Sequence, residues 1–238
     1  MVPASLGLGQ MTTKNQSEHV IWQEGDVPVS ALFDDPYFSM ADGLAETRHV
    51  FLSGNDLPAR FRDGFRIAEL GFGTGLNLLA TAMAWNRSGT AGALHFTSFE
   101  AYPMPSSDMA QALKAFPEVA HLAAQLVSVW GRGARRFDLA GVHVEIIEGD
   151  ARSTLPEWGG QADAWYLDGF SPAKNPELWG EGLLRDVACH TAPTGTFATY
   201  SAAGFVRRGL QAAGFQVERV PGYGRKRHMS RGVMDKAT

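Results

Sequence analysis

Phe65-Arg-Ile-Ala-Glu69-Leu-Gly71-Phe-Gly73-Thr-Gly75-Leu-Asn77 is a short apolar run, then three glycines at alternate positions, then a helical pattern over residues 76–85. An apolar run of six residues bounded by glycine reads as a buried strand. The glycines allow a tight turn at positive φ and let a ligand approach the backbone closely. Ligands of open parallel sheets bind beyond the carboxyl ends of the strands, which is where this turn falls. Its spacing is G-x-G-x-G, not the G-x-G-x-x-G of a dinucleotide site. Glu69, two residues before the first glycine, would repel a pyrophosphate. Beside the cationic amino-acid end of S-adenosylmethionine it is favourable. Gly71, Gly73 and Gly75 therefore read as a cradle for that moiety, with Glu69 adding negative potential. An ordinary glycine-rich turn is the alternative.

Downstream of the turn, apolar runs and helical patterns alternate. Strands are expected at 94–99, 142–147, 162–167 and 195–200. Helices are expected around 107–116, 118–129, 152–158, 177–190 and 205–213, with Gly214 as a helix stop. Such alternation implies βαβ units and a parallel sheet. The last two strands, 216–220 and 227–234, are joined only by PGYGRK, too short for a parallel crossover, so they pair antiparallel. The expected fold is α/β and Rossmann-like: a mostly parallel seven-stranded sheet with an antiparallel last strand, as in class I S-adenosylmethionine-dependent methyltransferases.

Acidic residues recur at the strand ends. Glu100 closes the second strand, where a carboxylate can accept from both ribose hydroxyls of an adenosine cofactor. Asp150 follows the third, and reads equally well as an acceptor for an adenine amino group or as a helix N-cap. Asp168 ends the fourth, in Asp168-Gly-Phe170-Ser-Pro-Ala-Lys174. This turn resembles the Asp/Asn-Pro-Pro-aromatic turn of amino-group methyltransferases. An alkylamine is mostly protonated at neutral pH, so a base that orients it and takes its proton has a clear task. Phe170 offers a ring to stack on a planar base. The plainer reading makes Asp168 a turn residue and Phe170 core.

Bulk properties exclude several classes. With 45 % hydrophobic and 19 % charged residues among 238, the chain is too apolar for disorder and long enough for a sizeable core. No apolar run reaches the roughly 18 residues of a membrane span, and the start lacks a signal-peptide pattern, so a cytoplasmic protein without membrane contact is expected. Cys189 alone supports no disulfide or multi-thiolate metal site, so no metal is expected, and a buried apolar role suits it. Net charge is −4, but residues 203–238 carry eight Lys/Arg and two Asp/Glu, leaving −10 elsewhere. That asymmetry suits a local polyanion contact or a merely solvated basic face. The expected organisation is a flexible leader (1–18, with Met11 an alternative start), an N-terminal cap (19–64) over the open end of the sheet, including a hairpin at 20–30, and a methyltransferase domain (65–238).

The string LDGFSPAKNPELW, with FDDPYFS, DGLAETRHVFL, ELGFGTGLN, SFE, AGFVRRGLQAAGF and GYGRKRHM in matching order, resembles the methyltransferase part of bacterial tRNA 5-methylaminomethyl-2-thiouridine biosynthesis proteins. The resemblance runs from about Trp22 to Met234. It implies methylation of the 5-aminomethyl group of a modified uridine at wobble position 34 of tRNA, with S-adenosylmethionine as cofactor. It implies cofactor roles for Gly71, Gly73, Gly75, Asn77, Glu100 and Asp150, with Asp168 and Phe170 flanking the amine. Lys174 becomes a substrate contact, and Tyr37 and Phe38 pocket walls. Arg207, Arg208, Arg225, Lys226, Arg227 and His228 become contacts to the tRNA backbone. Two-domain members of the family continue into an FAD-dependent oxidoreductase. A chain of 238 residues has no room for it, so the expectation is a flavin-free methyltransferase or an isolated domain, supplied by separate upstream tRNA-modifying enzymes. A small-molecule amine N-methyltransferase, a non-catalytic tRNA-binding module and a nicotinamide dehydrogenase are the rival readings.

Overall fold

The computed structural model describes residues 20–23, 27–39 and 42–235. The expected leader and the alternative start at Met11 lie outside the described residues. Strands β1 (Val20–Gln23), β2 (Val27–Ser30) and β3 (Asp35–Pro36) form a small antiparallel sheet in that order. β1 and β2 pair as the hairpin expected for this stretch, with connecting residues 24–26 outside the described set. Helix α1 (Gly43–Thr47) is capped by Asp42, whose side chain accepts from Ala45 N at 2.9 Å. It runs into a π-helical turn, Arg48–Leu52, whose Val50, Phe51 and Leu52 join the main core.

The remaining elements are β4 (Phe65–Leu70), α2 (Leu76–Ser88), β5 (Leu94–Glu100), α3 (Ser106–Leu113), α4 (Ala120–Gly131), β6 (Arg136–Leu139), β7 (Val142–Glu148), α5 (Ala151–Thr154), β8 (Ala162–Leu167), α6 (Glu181–Cys189), β9 (Thr191–Thr199), α7 (Gly204–Ala212), β10 (Phe215–Pro221) and β11 (His228–Met234). The sheet order is β10-β11-β9-β8-β4-β5-β7-β6. β4 is parallel to β5 and β8, and β5–β7 and β8–β9 are also parallel. The last strand, β11, is inserted between β9 and β10 and runs antiparallel to both.

The Rossmann-like fold stands as expected, with one strand more than the seven anticipated. The extra strand, β6, pairs antiparallel with β7. Its two-residue turn, Ala140-Gly141, has positive φ at both positions (52° and 79°). That is a tight hairpin turn without the usual Asn-Gly or Asp-Gly signal. The helix expected over 177–190 is divided. A 3₁₀ turn, Pro176–Trp179, is separated from α6 by the extended Gly180. α6 buries Leu183, Leu184 and Val187, and Cys189 at its end points off that stripe. Cys189 is therefore exposed, not buried as its residue type suggested.

Alternation along the central strands sorts the core. Ile67, Phe96 and Tyr166 face one cluster with Leu78, Leu79 and Leu126. Ala68, Trp165 and Phe197 face another with Leu183, Val187 and Leu210. Helices thus cover both faces, which is why β4 and β8 read as nearly continuous apolar runs. The chain leaves β4 first toward β5 and β7, then returns to β8 and β9 on the other side. This reversal opens a crevice at the carboxyl ends of the strands.

Candidate active site

A cleft of about 970 Å³ occupies that crevice. Each flanking strand delivers residues to it: Gly71 and Gly73 after β4, Glu100 from β5, Asp150 after β7, Asp168 after β8 and Tyr200 after β9. The N-terminal segment roofs it with Phe33, Tyr37, Phe38 and Glu46.

The glycine turn is shaped by close approach. Gly71 has φ +87°, and a Cβ there would lie 2.6 Å from the carbonyl oxygen of Asp168. Gly73 (φ +53°) sits under the Tyr37 ring. Glu100 straps this turn: one oxygen accepts from Phe72 N and Gly73 N at 2.9 and 3.0 Å, the other from Tyr102 N at 2.7 Å. Burial raises its pKa, and the three backbone donors oppose that shift. A carboxylate has about four acceptor positions, so Glu100 retains capacity for a ligand hydroxyl. Burial, then the nearby Glu100, pushes the Tyr37 phenol up to about 12.

Asn77 joins two carboxylates. Its amide nitrogen donates to Glu69 Oε1 at 2.8 Å and to Asp168 Oδ2 at 2.7 Å, while Thr47 Oγ1 donates to its oxygen at 2.8 Å. Glu69 also accepts from Ser98 Oγ at 2.6 Å and is fully buried. Burial pushes its carboxyl up to about 8, opposed by those two hydrogen bonds. Glu69 does not line the cleft. It acts on the cleft through Asn77. Gly75 does not line the cleft either: it packs under Leu126 and Phe72, a structural position.

Asp168 faces the cleft, and burial pushes its carboxyl up to about 7. The Asn77 bond and the Lys226 charge pull it down, and Glu46 raises it. Phe170 stacks on Phe33 with ring centres 4.7 Å apart and meets Tyr37 edge-on at 5.2 Å. The cap is tied to this turn: Ser171 N donates to Asp35 at 2.7 Å, and Lys174 pairs with Asp34. Tyr200 donates its hydroxyl to the Gly169 carbonyl at 2.5 Å.

Several expected residues also hold partners within the fold. Asp150 does cap α5, accepting from Arg152 N at 2.9 Å, and also binds the Arg152 guanidinium, which lowers its pKa. It still lines the cleft. Phe38 lines the cleft while its ring packs edge-on against Phe116 at 5.0 Å. Among the basic residues, Arg225 and Lys226 reach the rim. Arg227 and His228 are exposed beside them, whereas Arg207 and Arg208 on α7 do not line the cleft. Lys226 is paired with Glu46 at 2.9 Å. Glu46, Tyr200 and Phe33 escaped sequence reading. Tyr200 carried a signal, since it follows a strand end as Asp168 does.

No group of three His, Cys, Asp or Glu among the described residues is placed to hold a metal, and no helix among them is long and apolar enough to cross a membrane.

Residues 115–235 match the model of a family described as S-adenosyl-L-methionine-dependent methyltransferase. Two curated proteins named tRNA 5-methylaminomethyl-2-thiouridine biosynthesis bifunctional protein MnmC are similar over most of the chain. The one from Caulobacter sp. (strain K31) is 48 % identical over 87 % of this chain and 37 % of its own length. The one from Chromobacterium violaceum is 47 % identical over 90 % and 34 %. The chain thus spans about a third of the length of these relatives. The solved structure of MnmC2 from Aquifex aeolicus superposes with a TM-score of 0.73 at 23 % identity, covering 92 % of this chain and 71 % of that one, a likeness of fold.

Proposed function

Because this chain belongs to the S-adenosyl-L-methionine-dependent methyltransferases, we propose that it methylates the 5-aminomethyl nitrogen of a modified uridine at wobble position 34 of tRNA, giving 5-methylaminomethyl-2-thiouridine. The observation that carries this reading is Asp168: a carboxyl group at the end of β8, aimed by Asn77, held near pKa 7 and flanked by the Phe33–Phe170 stack. The similarity to MnmC proteins supports the substrate.

The residues present fit the cofactor. Gly71 and Gly73 line the cleft with bare backbone, and Glu100 and Asp150 offer acceptors in the same cleft. When bound there, S-adenosylmethionine supplies an electrophilic methyl group. Asp168 orients the substrate ammonium and takes its proton, freeing the nitrogen lone pair. Phe170 and Tyr37 wall the base, and the cap tied down by Asp35 and Lys174 limits access of water. Holding the reacting atoms about 3–3.5 Å apart is where much of the rate gain arises. We assign the methyltransferase domain to residues 65–238 and the cap to 19–64.

The test is methyl transfer from labelled S-adenosylmethionine to tRNA bearing 5-aminomethyl-2-thiouridine, followed by nucleoside mass analysis. Label on the wobble nucleoside is expected, with none on an unmodified transcript. Cofactor binding without transfer would overturn the tRNA assignment and leave other amines as substrates.

The exposed loop carrying Arg225 and Arg227 lies at the cleft rim and suits phosphate contacts. Arg225→Glu combined with Arg227→Glu is expected to weaken tRNA binding by about tenfold or more and to lower the slope of log K against log salt by about two. Cofactor affinity stays as in the wild type. Unchanged tRNA affinity would place the docking face elsewhere.

A further inference from the structure

Lys226 ends in a site shaped for a cation that is not its own. Its Nζ lies 2.9 Å from Glu46 Oε1 and 4.0 Å from the centre of the Tyr200 ring. Glu46, Tyr200, Lys226 and Asp168 line one cleft. A carboxylate at hydrogen-bond distance with an aromatic face beneath is how alkylammonium groups are recognised.

The walls are fixed and the occupant is not. Glu46 sits on α1 with its side chain 12 % exposed. Tyr200 is pinned through its hydroxyl to Gly169, and Asp168 through its carboxylate to Asn77. Lys226 stands in the exposed loop between β10 and β11, 45 % exposed, on a four-carbon stem with many rotamers. Two carboxyl groups sharing a cleft need a cation near them, and an internal lysine meets that need without ligand.

We propose that Glu46, the face of Tyr200 and Asp168 form the binding site for the alkylammonium group of the substrate, which Lys226 Nζ fills in the free protein and vacates on substrate entry. This rests on the amine-methylation reading and adds to it the residues that select a charged amine. One cation replaces another, so the charge of the site is conserved. The released ammonium moves to the rim beside Arg225, where a polyanionic substrate brings phosphate. An uncharged substrate cannot displace it.

The probes are benzylammonium, a planar ring bearing an aminomethyl group, and uncharged benzyl alcohol. Binding is measured by calorimetry at about pH 8, where an alkylammonium near 10 remains protonated. Lys226→Met is expected to bind benzylammonium at least about tenfold more tightly than the wild type and benzyl alcohol equally weakly. Adding Glu46→Gln is expected to abolish the gain. Equal benzylammonium affinity in wild type and Lys226→Met, or an equal gain for benzyl alcohol, would overturn the proposal. A gain for benzylammonium without methylation of aminomethylated tRNA keeps the site and overturns the tRNA reading. Methylation without the gain does the reverse.

Discussion

Asp168→Asn is expected to lower methyl transfer by about 10²–10⁴-fold while leaving S-adenosylmethionine affinity within a few-fold of the wild type. The substitution keeps the shape of the side chain and an oxygen for Asn77 Nδ2, now 2.7 Å from Asp168 Oδ2. It removes only the charge and the basic site. The wild-type carboxyl, raised by burial from 3.8 to about 7, lies closer to an alkylammonium as a proton acceptor. A base in this position also predicts a pH profile. The folded-state pKa is raised, so the carboxyl is neutral below about 7, and turnover climbs as pH rises through that value. The variant has no such limb. Stopped-assay rates across about pH 5.5–9 with cofactor saturating would show it. Full activity in the variant, or a wild-type profile flat through 7, would remove Asp168 from the chemistry.

Gly71→Ala is expected to destabilise the fold by about 3 kcal/mol and to abolish measurable cofactor binding. Two penalties act together. The backbone is at φ +87°, and the added Cβ would stand 2.6 Å from the Asp168 carbonyl oxygen, a main-chain atom that cannot rotate away. At this chain length the loss corresponds to a drop in Tm of about 6–12 °C. Gly64→Ala separates the two penalties. Gly64 has φ +68° but nothing within 4 Å of an added Cβ, so it is expected to cost only about 1 kcal/mol and to spare cofactor binding. Equal losses in the two variants would show that strain alone, not the approach of β4 and β8 at the turn, fixes glycine at position 71.

What was legible in the sequence is what depends on local pattern. The run from Phe65 to Asn77 announces strand, turn and helix by itself, and Glu100, Asp150 and Asp168 are readable because each stands within three residues of the end of an apolar run. What was not legible depends on side chains meeting across the fold. Glu46 and Lys226 are 180 residues apart in the chain, and no spacing links them. Side chains alternate along a strand, so Glu69 shares the face of Ile67, which α2 covers, and turns under the cleft rather than into it. β6 was missed because its turn carries alanine where Asn or Asp normally stands. Cys189 shows the converse, since its residue type suggests burial while its place, two residues past Val187, is off the buried stripe of α6.

The insertion of β11 between β9 and β10 has a consequence for vectorial synthesis. A ribosome releases β10 before the strand that joins it to the sheet exists, so β10 leaves the exit tunnel with no hydrogen-bonding neighbour. Until β11 emerges, β9 presents an open edge, and an open edge invites pairing with another nascent chain. The loop bearing Arg225, Lys226 and Arg227 joins β10 to β11, so that same late event closes it at the cleft rim. Of the residues that line the cleft, those of this loop are the last to be translated, so the cleft is complete only when the final strand is in place.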